Sequence, residues 1–210
     1  IYRPQMRHIH FSLFTLRFSL FTLLSSLFLS LLYADSKEDL FYSELSRRSS
    51  EVSTLRASFT QTKYVKLLDT KVVSKGKFQY KKGVDIRFDY ATPKVMSIIM
   101  TNSDLRISTP TKTTTYDFAK QRSLAELAVI MEACVSGKLR ELPAKYKVIY
   151  KSVADFHVVT ITNLKRGADN PYTMIELHFC LEDYSLRELI LYERSEDTTF
   201  YSFNNIVTNG

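Results

Sequence analysis

Residues 55–93, LRASFTQTKYVKLLDTKVVSKGKFQYKKGVDIRFDYATP, decide the fold of this 210-residue chain. Apolar and polar residues alternate through the stretch in three runs, and turn residues such as Gly83 separate the runs. This alternation predicts three consecutive β-strands, each with one apolar face. None of these residues is chemically reactive in its own right. The stretch therefore predicts a wide apolar surface built of strands, which suits the binding of lipid better than it suits catalysis.

The first 34 residues have the parts of a secretory signal. Arg3, Arg7 and Arg17 precede an apolar segment at residues 18–32, and the small residue Ala34 stands directly before the first acidic residue. The apolar segment is shorter than the roughly 20 residues that cross a bilayer core, although an uncleaved anchor is the alternative. We therefore expect a cleavable signal peptide at residues 1–34, a mature N-terminus at Asp35 and one domain at residues 35–210.

The charge balance argues against nucleic acid as a partner. The chain has 29 basic and 22 acidic residues, and residues 1–34 contribute three arginines and no acid, which leaves 26 basic residues in the exported part. An excess of four positive charges is too small for a nucleic-acid-binding domain.

The two cysteines fall on different kinds of surface, Cys134 on the apolar stripe of a helix and Cys180 on an outward strand face. We expect two separate thiols.

The remaining elements are two helices and further strands. Residues 36–53 have a helical apolar stripe that Ser36 can cap. Ser123 and Glu126 form a capping-box pattern at the start of a second helix, and Gly137 is its predicted end. Residues 124–135 are apolar nearly all round, so this helix must be covered on more than one side. We expect it to lie against the concave face of an antiparallel sheet, since strand follows strand without βαβ crossovers.

The chain offers little for catalysis. Asp155 and His157 share a predicted strand face, which is a thin indication of a general base pair. His178 and Glu176 have no partner at a spacing typical of a zinc site, and the chain lacks both a Gly-x-Ser-x-Gly motif and a glycine-rich phosphate loop. We therefore expect no enzyme, no metal and no cofactor, and a hydrolase that uses Asp155 and His157 is the weakest alternative.

The candidate binding residues are aromatic and flexible apolar side chains at alternate strand positions. Phe, Tyr and Met surfaces adapt to acyl chains of variable shape, although a plain packed core would show the same pattern. The predicted lipid-binding residues of the strands and of the second helix are Phe59, Phe78, Tyr80, Ile86, Phe88, Tyr90, Met96, Ile98, Met100, Leu127 and Met131.

The order of motifs resembles the LolA family. It runs from the signal peptide and first helix through Ala57-Ser-Phe-x-Gln61, Gly76-x-Phe78 and Arg87-Phe-x-Tyr-x-x-Pro93 to the apolar helix. The resemblance implies a mainly β fold with helices, in which a strongly bent antiparallel sheet forms an incomplete, unclosed β-barrel lidded by helices, as in LolA and LolB. Tyr201, Phe203 and Asn205 begin a strand typical of the family's C-terminus. The family usually adds another strand or two, so we expect a truncated C-terminus and an open sheet edge.

The resemblance also implies a function. LolA-like proteins are periplasmic carriers that take acylated lipoproteins from an inner-membrane ABC transporter and move them to the outer membrane, where an acceptor or the membrane itself receives them. A family aromatic inside the barrel falls on Ile86, which implies altered packing of the acyl chain. A basic residue that hydrogen-bonds the lid helices falls on Lys82, the expected lid latch. We expect a monomer, and the alternative function is a LolA-like lipid-binding, accessory or sensor protein of the envelope with a different acyl ligand.

Overall fold

The centre of the molecule is a single antiparallel sheet of eleven strands, in a computed structural model that describes residues 37–163 and 171–209. The predicted signal peptide, the terminus at Asp35 and the Ser36 cap lie outside the described residues. The strands are β1 Thr54–Val65, β2 Thr70–Lys81, β3 Asp85–Thr92, β4 Met96–Met100, β5 Asp104–Ser108, β6 Thr113–Asp117, β7 Tyr146–Val153, β8 Phe156–Asn163, β9 Tyr172–Cys180, β10 Leu186–Glu193 and β11 Thr198–Asn209.

Two helices accompany the sheet in the described residues. Helix α1 occupies residues 37–50, and helix α2 spans Arg122–Ser136. Short 3-10 turns lie at Lys66–Leu68 and Leu139–Glu141. The three strands that the alternation in residues 55–93 predicted are present as β1, β2 and β3.

The sheet consists of two meanders that meet at the first and last strands. Strands β1 to β6 follow one another on one side, β7 to β11 do so on the other, and β1 pairs with β11. Strands β6 and β7 are the two edges, so the barrel is not closed. The predicted class of fold, an unclosed antiparallel sheet with helices, is confirmed.

The terminal strand is not an edge strand. Residues 198–202 of β11 pair with β10 on one side and with β1 on the other, and the pairing with β1 alone continues to Asn209. The open edges of the sheet are β6 and β7, and the long-range pairing of β11 with β1 places the last strand in the middle of the sheet.

Helix α2 lies over the concave face. Ile130, Met131, Ala133 and Cys134 are buried in the same hydrophobic cluster as residues of β1 to β5 and β7 to β11. The left-handed conformation of Gly137, with a φ of 72°, ends the helix as predicted.

The predicted capping box at Ser123 is wrong. The helix starts one residue earlier, at Arg122, and Gln121 precedes it without a capping hydrogen bond from its side chain.

Both cysteines are free thiols, as expected. The helices that the structure describes are too short or too polar to span a lipid bilayer.

Candidate functional site

The concave face of the sheet presents a cluster of aromatic rings. The ring of Phe78 lies 4.9 Å from that of Phe88, and the ring of Phe59 lies 5.0 Å from that of Tyr90, both pairs edge to face. Tyr201 of β11 contacts this cluster, with its ring 5.7 Å from Phe88. Alternation along β1, β2 and β3 places these side chains on one face, and register brings them together.

Two cavities of similar size lie between this face and the helices. Cavity A, of about 480 Å³, lies between α2 and the end of the sheet where β3 and β10 finish; it is lined by Tyr90, Ile98, Leu124, Leu127, Leu191 and Tyr201 among others. Cavity B, of about 520 Å³, lies toward the start of β1; it is lined by Leu45, Leu55, Phe78, Cys134, Phe179 and Phe203 among others. Met131 of α2 borders both cavities. Helix α2 therefore leaves the concave face partly empty, on both of its sides.

A third, smaller cavity lies beside the β2–β3 turn. Cavity C has a volume of about 290 Å³, and Ile86, Met100, Phe118 and Ala128 line it. Ile86, the position at which the family resemblance implies an aromatic residue, is 3% exposed and faces this cavity. A branched aliphatic side chain in place of a ring leaves more space there.

The structure places most of the predicted binding residues at these cavities. Phe88, Tyr90, Ile98, Met100, Leu127 and Met131 line cavity A, Phe78 lines cavity B and Ile86 lines cavity C. Phe59, Tyr80 and Met96 line none of the three. Phe59 is part of the buried ring cluster instead, and the Tyr80 hydroxyl donates a hydrogen bond to Glu132 of α2 at 3.4 Å.

Sequence reasoning missed the contribution of the C-terminal strands. Leu189 and Leu191 of β10, Tyr172 of β9 and Tyr201 of β11 line cavity A together with Leu105 and Ile107 of β5. Their alternation with outward residues was visible in the sequence. What the sequence did not show was that β11 pairs with β1, which brings this second meander to the same cavity.

The lining of cavity A is uncharged within the described part of the chain. Among residues 37–163 and 171–209, no Asp, Glu, Lys or Arg side chain borders it, and its polar groups are mainly tyrosine hydroxyls. The hydroxyls of Tyr90 and Tyr201 share a hydrogen bond of 3.3 Å. Burial raises the pKa of Tyr172 to about 12 and the pKa of Tyr201 well above its usual value, so both phenols stay neutral. Such a cavity suits an aliphatic chain and disfavours an ionic ligand.

Lys82 contacts a helix through the β2–β3 turn. Its Nζ donates a hydrogen bond of 2.8 Å to the carbonyl oxygen of Ser50, the last residue of α1. A cation at a helix C-terminus is also favourably placed in the field of the helix dipole. The contact is with α1, and no contact between the Lys82 side chain and α2 is recorded among the described residues.

The candidate general base is packed among rings. His157 lies 4.6 Å from Phe41 and 4.9 Å from Tyr184, centroid to centroid, and its Nδ1 bonds the Tyr150 hydroxyl at 2.9 Å. Burial lowers the pKa of His157. Asp155 is an exposed residue of the β7–β8 turn and not part of a strand. The prediction that both share a strand face was therefore wrong, because Asp155 lies in the turn, while aromatic side chains of α1 and of the β9–β10 turn pack against the imidazole.

His178 lies between two carboxylates. Its Nε2 is 2.7 Å from Glu176 and its Nδ1 is 2.7 Å from Glu188. Both ring nitrogens thus have a partner, so the imidazole is fixed in orientation. Within residues 37–163 and 171–209, no cluster of three potential metal ligands is found.

Comparison with known proteins gives one family match. The family model described as outer membrane lipoprotein carrier protein LolA matches residues 50–210. No curated protein matches the chain.

Solved structures resemble the chain at low identity. A LolA superfamily protein from Nitrosomonas europaea is 9% identical with a TM-score of 0.40, over 80% of this chain and 93% of that one. A putative outer membrane lipoprotein-sorting protein domain from Vibrio parahaemolyticus is 9% identical with a TM-score of 0.43, over 80% and 91%. A chain of the MucA/MucB complex of Pseudomonas aeruginosa is 10% identical with a TM-score of 0.42, over 80% and 58%.

Proposed function

The chain belongs to the LolA family of outer-membrane lipoprotein carrier proteins, and we propose that it carries acylated lipoproteins between membranes by holding their acyl chains on its concave face. The observation that carries the proposal is the pair of cavities on either side of α2. The described lining of cavity A in particular is apolar and uncharged, and it comes from both meanders. Volumes near 500 Å³ are within the range of about 300–1,000 Å³ usual for small-molecule sites.

Burial of an acyl chain supplies enough free energy for a carrier. Each methylene removed from water contributes about 0.8 kcal/mol, so a chain of about 16 carbons gains on the order of 12 kcal/mol. A carrier that left its apolar face open when empty would expose a patch of the kind that leads to aggregation. Helix α2, with Ile130 and Met131 buried against the sheet, covers that face.

Exchange of contacts then permits reversible loading. Leu124 and Leu127 of α2 are only half-buried where they border cavity A. An entering acyl chain replaces contacts of α2 with contacts of its own, so loading and unloading have little net cost and need no nucleotide bound to the carrier.

The proposal includes a compartment and partners. Residues 1–34 act as a cleaved export signal, and the carrier works in the periplasm as a monomer. It receives acylated lipoproteins from an inner-membrane ABC transporter and delivers them to an acceptor in the outer membrane or to that membrane itself. It has no catalytic activity and needs no cofactor.

A matched pair of variants on β4 tests the binding site. Ile98 borders cavity A, whereas its neighbour Ile99 lies on the opposite face of the strand, between Arg87 and Arg106 in the register. Ile98→Trp should fill part of the cavity and weaken the binding of a fluorescent palmitoyl probe about tenfold or more. This is the loss expected when two methylenes of the probe no longer fit in the cavity. Ile99→Trp should bind the probe like wild type. Equal binding by both folded variants would contradict the site.

A further inference from the structure

The tip of the β1–β2 hairpin exposes two leucines. Leu67 is 92% exposed and Leu68 is 69% exposed, the two highest values among the large hydrophobic side chains described. They lie in the short 3-10 turn Lys66–Leu68, in which no residue is buried. Single exposed apolar residues are common on protein surfaces, but two adjacent exposed leucines at a turn form a continuous apolar surface.

The hairpin projects beyond its neighbour in the sheet. The pairing of β2 with β3 begins only at Lys75 and Thr92, so residues 70–74 of β2 have no β3 partner. Val72 and Val73 in this projecting part are 44% and 50% exposed. Val95, in the β3–β4 turn at the same end of the sheet, is 62% exposed. The leucines thus lie beyond the end of β3, at an end of the sheet that has further exposed apolar side chains.

The tip is held in one conformation by polar contacts. The Tyr64 hydroxyl donates to Asp69 at 2.9 Å, and the backbone N–H of Lys66 donates to the Asp197 carboxylate at 2.9 Å. Asp69 itself has the left-handed conformation, with a φ of 46°. These contacts restrain the backbone of the tip, which lowers the entropy cost of burying the exposed leucines against a partner.

Two lysines at this end of the sheet are free to face an anionic surface. The carboxylates at the β10–β11 turn have lysine partners instead, because Lys66 pairs with Glu196 at 3.0 Å and Lys63 lies 2.9 Å from Glu193 and 3.8 Å from Asp197. Lys71 and Lys94 stand at the same end of the sheet and have no ion-pair partner in the described part of the chain. Exposed leucines beside unpaired lysines are the combination that binds the headgroup region of an anionic bilayer.

We propose that the hairpin tip is a membrane-docking site that inserts Leu67 and Leu68 into an anionic phospholipid bilayer. Cavity A lies toward the same end of the sheet, since Tyr90, Tyr172 and Leu191 are close to the ends of their strands there. Docking at the tip therefore brings the cavity's end of the molecule to the lipid. The docking site is inferred from the exposure of the leucines, the projection of the hairpin beyond β3 and the nearby lysines. It does not depend on which ligand the cavities hold.

A tryptophan reporter tests insertion at a single position, because the chain has no tryptophan. Leu67→Trp should show a blue-shifted emission with vesicles of phosphatidylglycerol and phosphatidylethanolamine, and brominated phospholipid should quench it. The matched control is Val84→Trp, since Val84 is 50% exposed in the turn at the opposite end of β2. Its emission should stay unchanged. A reporter at position 67 that does not respond, or equal quenching at both positions, would overturn the proposal.

Removal of the leucines completes the test. The double variant Leu67→Ser with Leu68→Ser should still fold, because neither side chain is buried, and should bind the vesicles at least about tenfold more weakly for each leucine lost. It should bind the palmitoyl probe like wild type, so failure of the docking site and failure of acyl binding are distinguishable. If emission of the Leu67→Trp protein shifts with protein concentration in the absence of vesicles, the tip binds a second copy of the chain and the bilayer is not its partner.

Discussion

At the scale of single residues, the concave face depends on one missing side chain. Gly76 of β2 lies beneath the ring of Phe59, and a Cβ at this position would come within 2.8 Å of that ring and collide with the backbone oxygen of Asp89. The pairing of β2 with β3 also shifts register between Lys75 and Gly76. The register shift thus falls at Gly76, whose missing side chain lets the ring of Phe59 lie across β2.

Gly76→Ala should therefore destabilise the fold by about 2–3 kcal/mol, the usual cost of overpacking a core. The midpoint of urea unfolding measures the change. Ser74→Ala, two residues earlier on the same strand, is the control and should shift the free energy of unfolding by no more than about 0.5 kcal/mol. A stable Gly76→Ala variant would mean that Phe59 does not cross the strand at this position.

His157 makes stability depend on pH. Its pKa is lowered in the folded protein by burial, so the unfolded chain binds more protons at mildly acidic pH. Its contribution is fully present above the ordinary histidine pKa of about 6.5 and is lost as the pH falls through that value toward the lowered pKa. Within the described part of the chain, its Nε2 has no hydrogen-bond partner, and its Nδ1 bonds the Tyr150 hydroxyl.

His157→Phe should keep the stacking with Phe41 and Tyr184 and should weaken the loss of stability on acidification. Urea unfolding at pH 7.5 and at pH 5.5 compares the two proteins. The wild type should lose more stability than the variant between these pH values. An identical loss in both would show that the imidazole does not titrate as its burial requires.

At the scale of elements, the β2–β3 turn connects the sheet to helix α1. The Lys82 side chain links them through its bond to the Ser50 carbonyl, beside a backbone bond from Lys82 to Ser53, and as an exposed hydrogen bond to a charged group the side-chain bond contributes about 1 kcal/mol. Leu45 of helix α1 lines cavity B, and so does Val52, which follows the helix. Movement of the end of α1 would therefore open one end of the concave face.

Lys82→Leu should favour the open, loaded state. The variant should take up the palmitoyl probe but release it to acceptor vesicles more slowly, by about fivefold, because the closed state no longer gains the bond when the ligand leaves. Stopped-flow transfer of the probe measures the rate. Lys81→Leu, an exposed neighbour, is the control, and Lys82→Arg should keep a fast release. Release by Lys82→Leu at the wild-type rate would make Lys82 an ordinary turn lysine.

The elements were the part of the fold that sequence could predict, for a local reason. Alternation is decided within five to ten residues, so Phe78, Phe88 and Met100 could be assigned to the inner face before any pairing was known. The start of α2 was missed because the helix begins at Arg122 without a capping side chain, ahead of the Ser123 pattern. His157 was missed because its cover comes from Phe41 and Tyr184, which are distant in sequence.

At the scale of the whole molecule, one long-range pairing creates the site. Strand β1 pairs with β11 over most of its length and thereby joins the two meanders into one curved surface. Sequence alternation carries no information on such a pairing, so the residues that β9, β10 and β11 contribute to cavity A could not be assigned in advance. The division of the concave face at Met131 likewise depends on how α2 crosses the sheet.

The central claim is that the concave face holds the acyl chains of lipoproteins. Mass spectrometry of the protein purified from the periplasm under native conditions tests it most directly, because an acylated ligand adds its own mass to that of the chain. We expect a one-to-one complex with an acylated lipoprotein in the wild type and in Ile99→Trp, and a much smaller fraction in Ile98→Trp. A wild-type protein that carries no acylated polypeptide, and takes up none when a synthetic triacylated lipopeptide is added, would contradict the claim; a complex with a free lipid alone would favour a LolA-like protein of the envelope with a different acyl ligand.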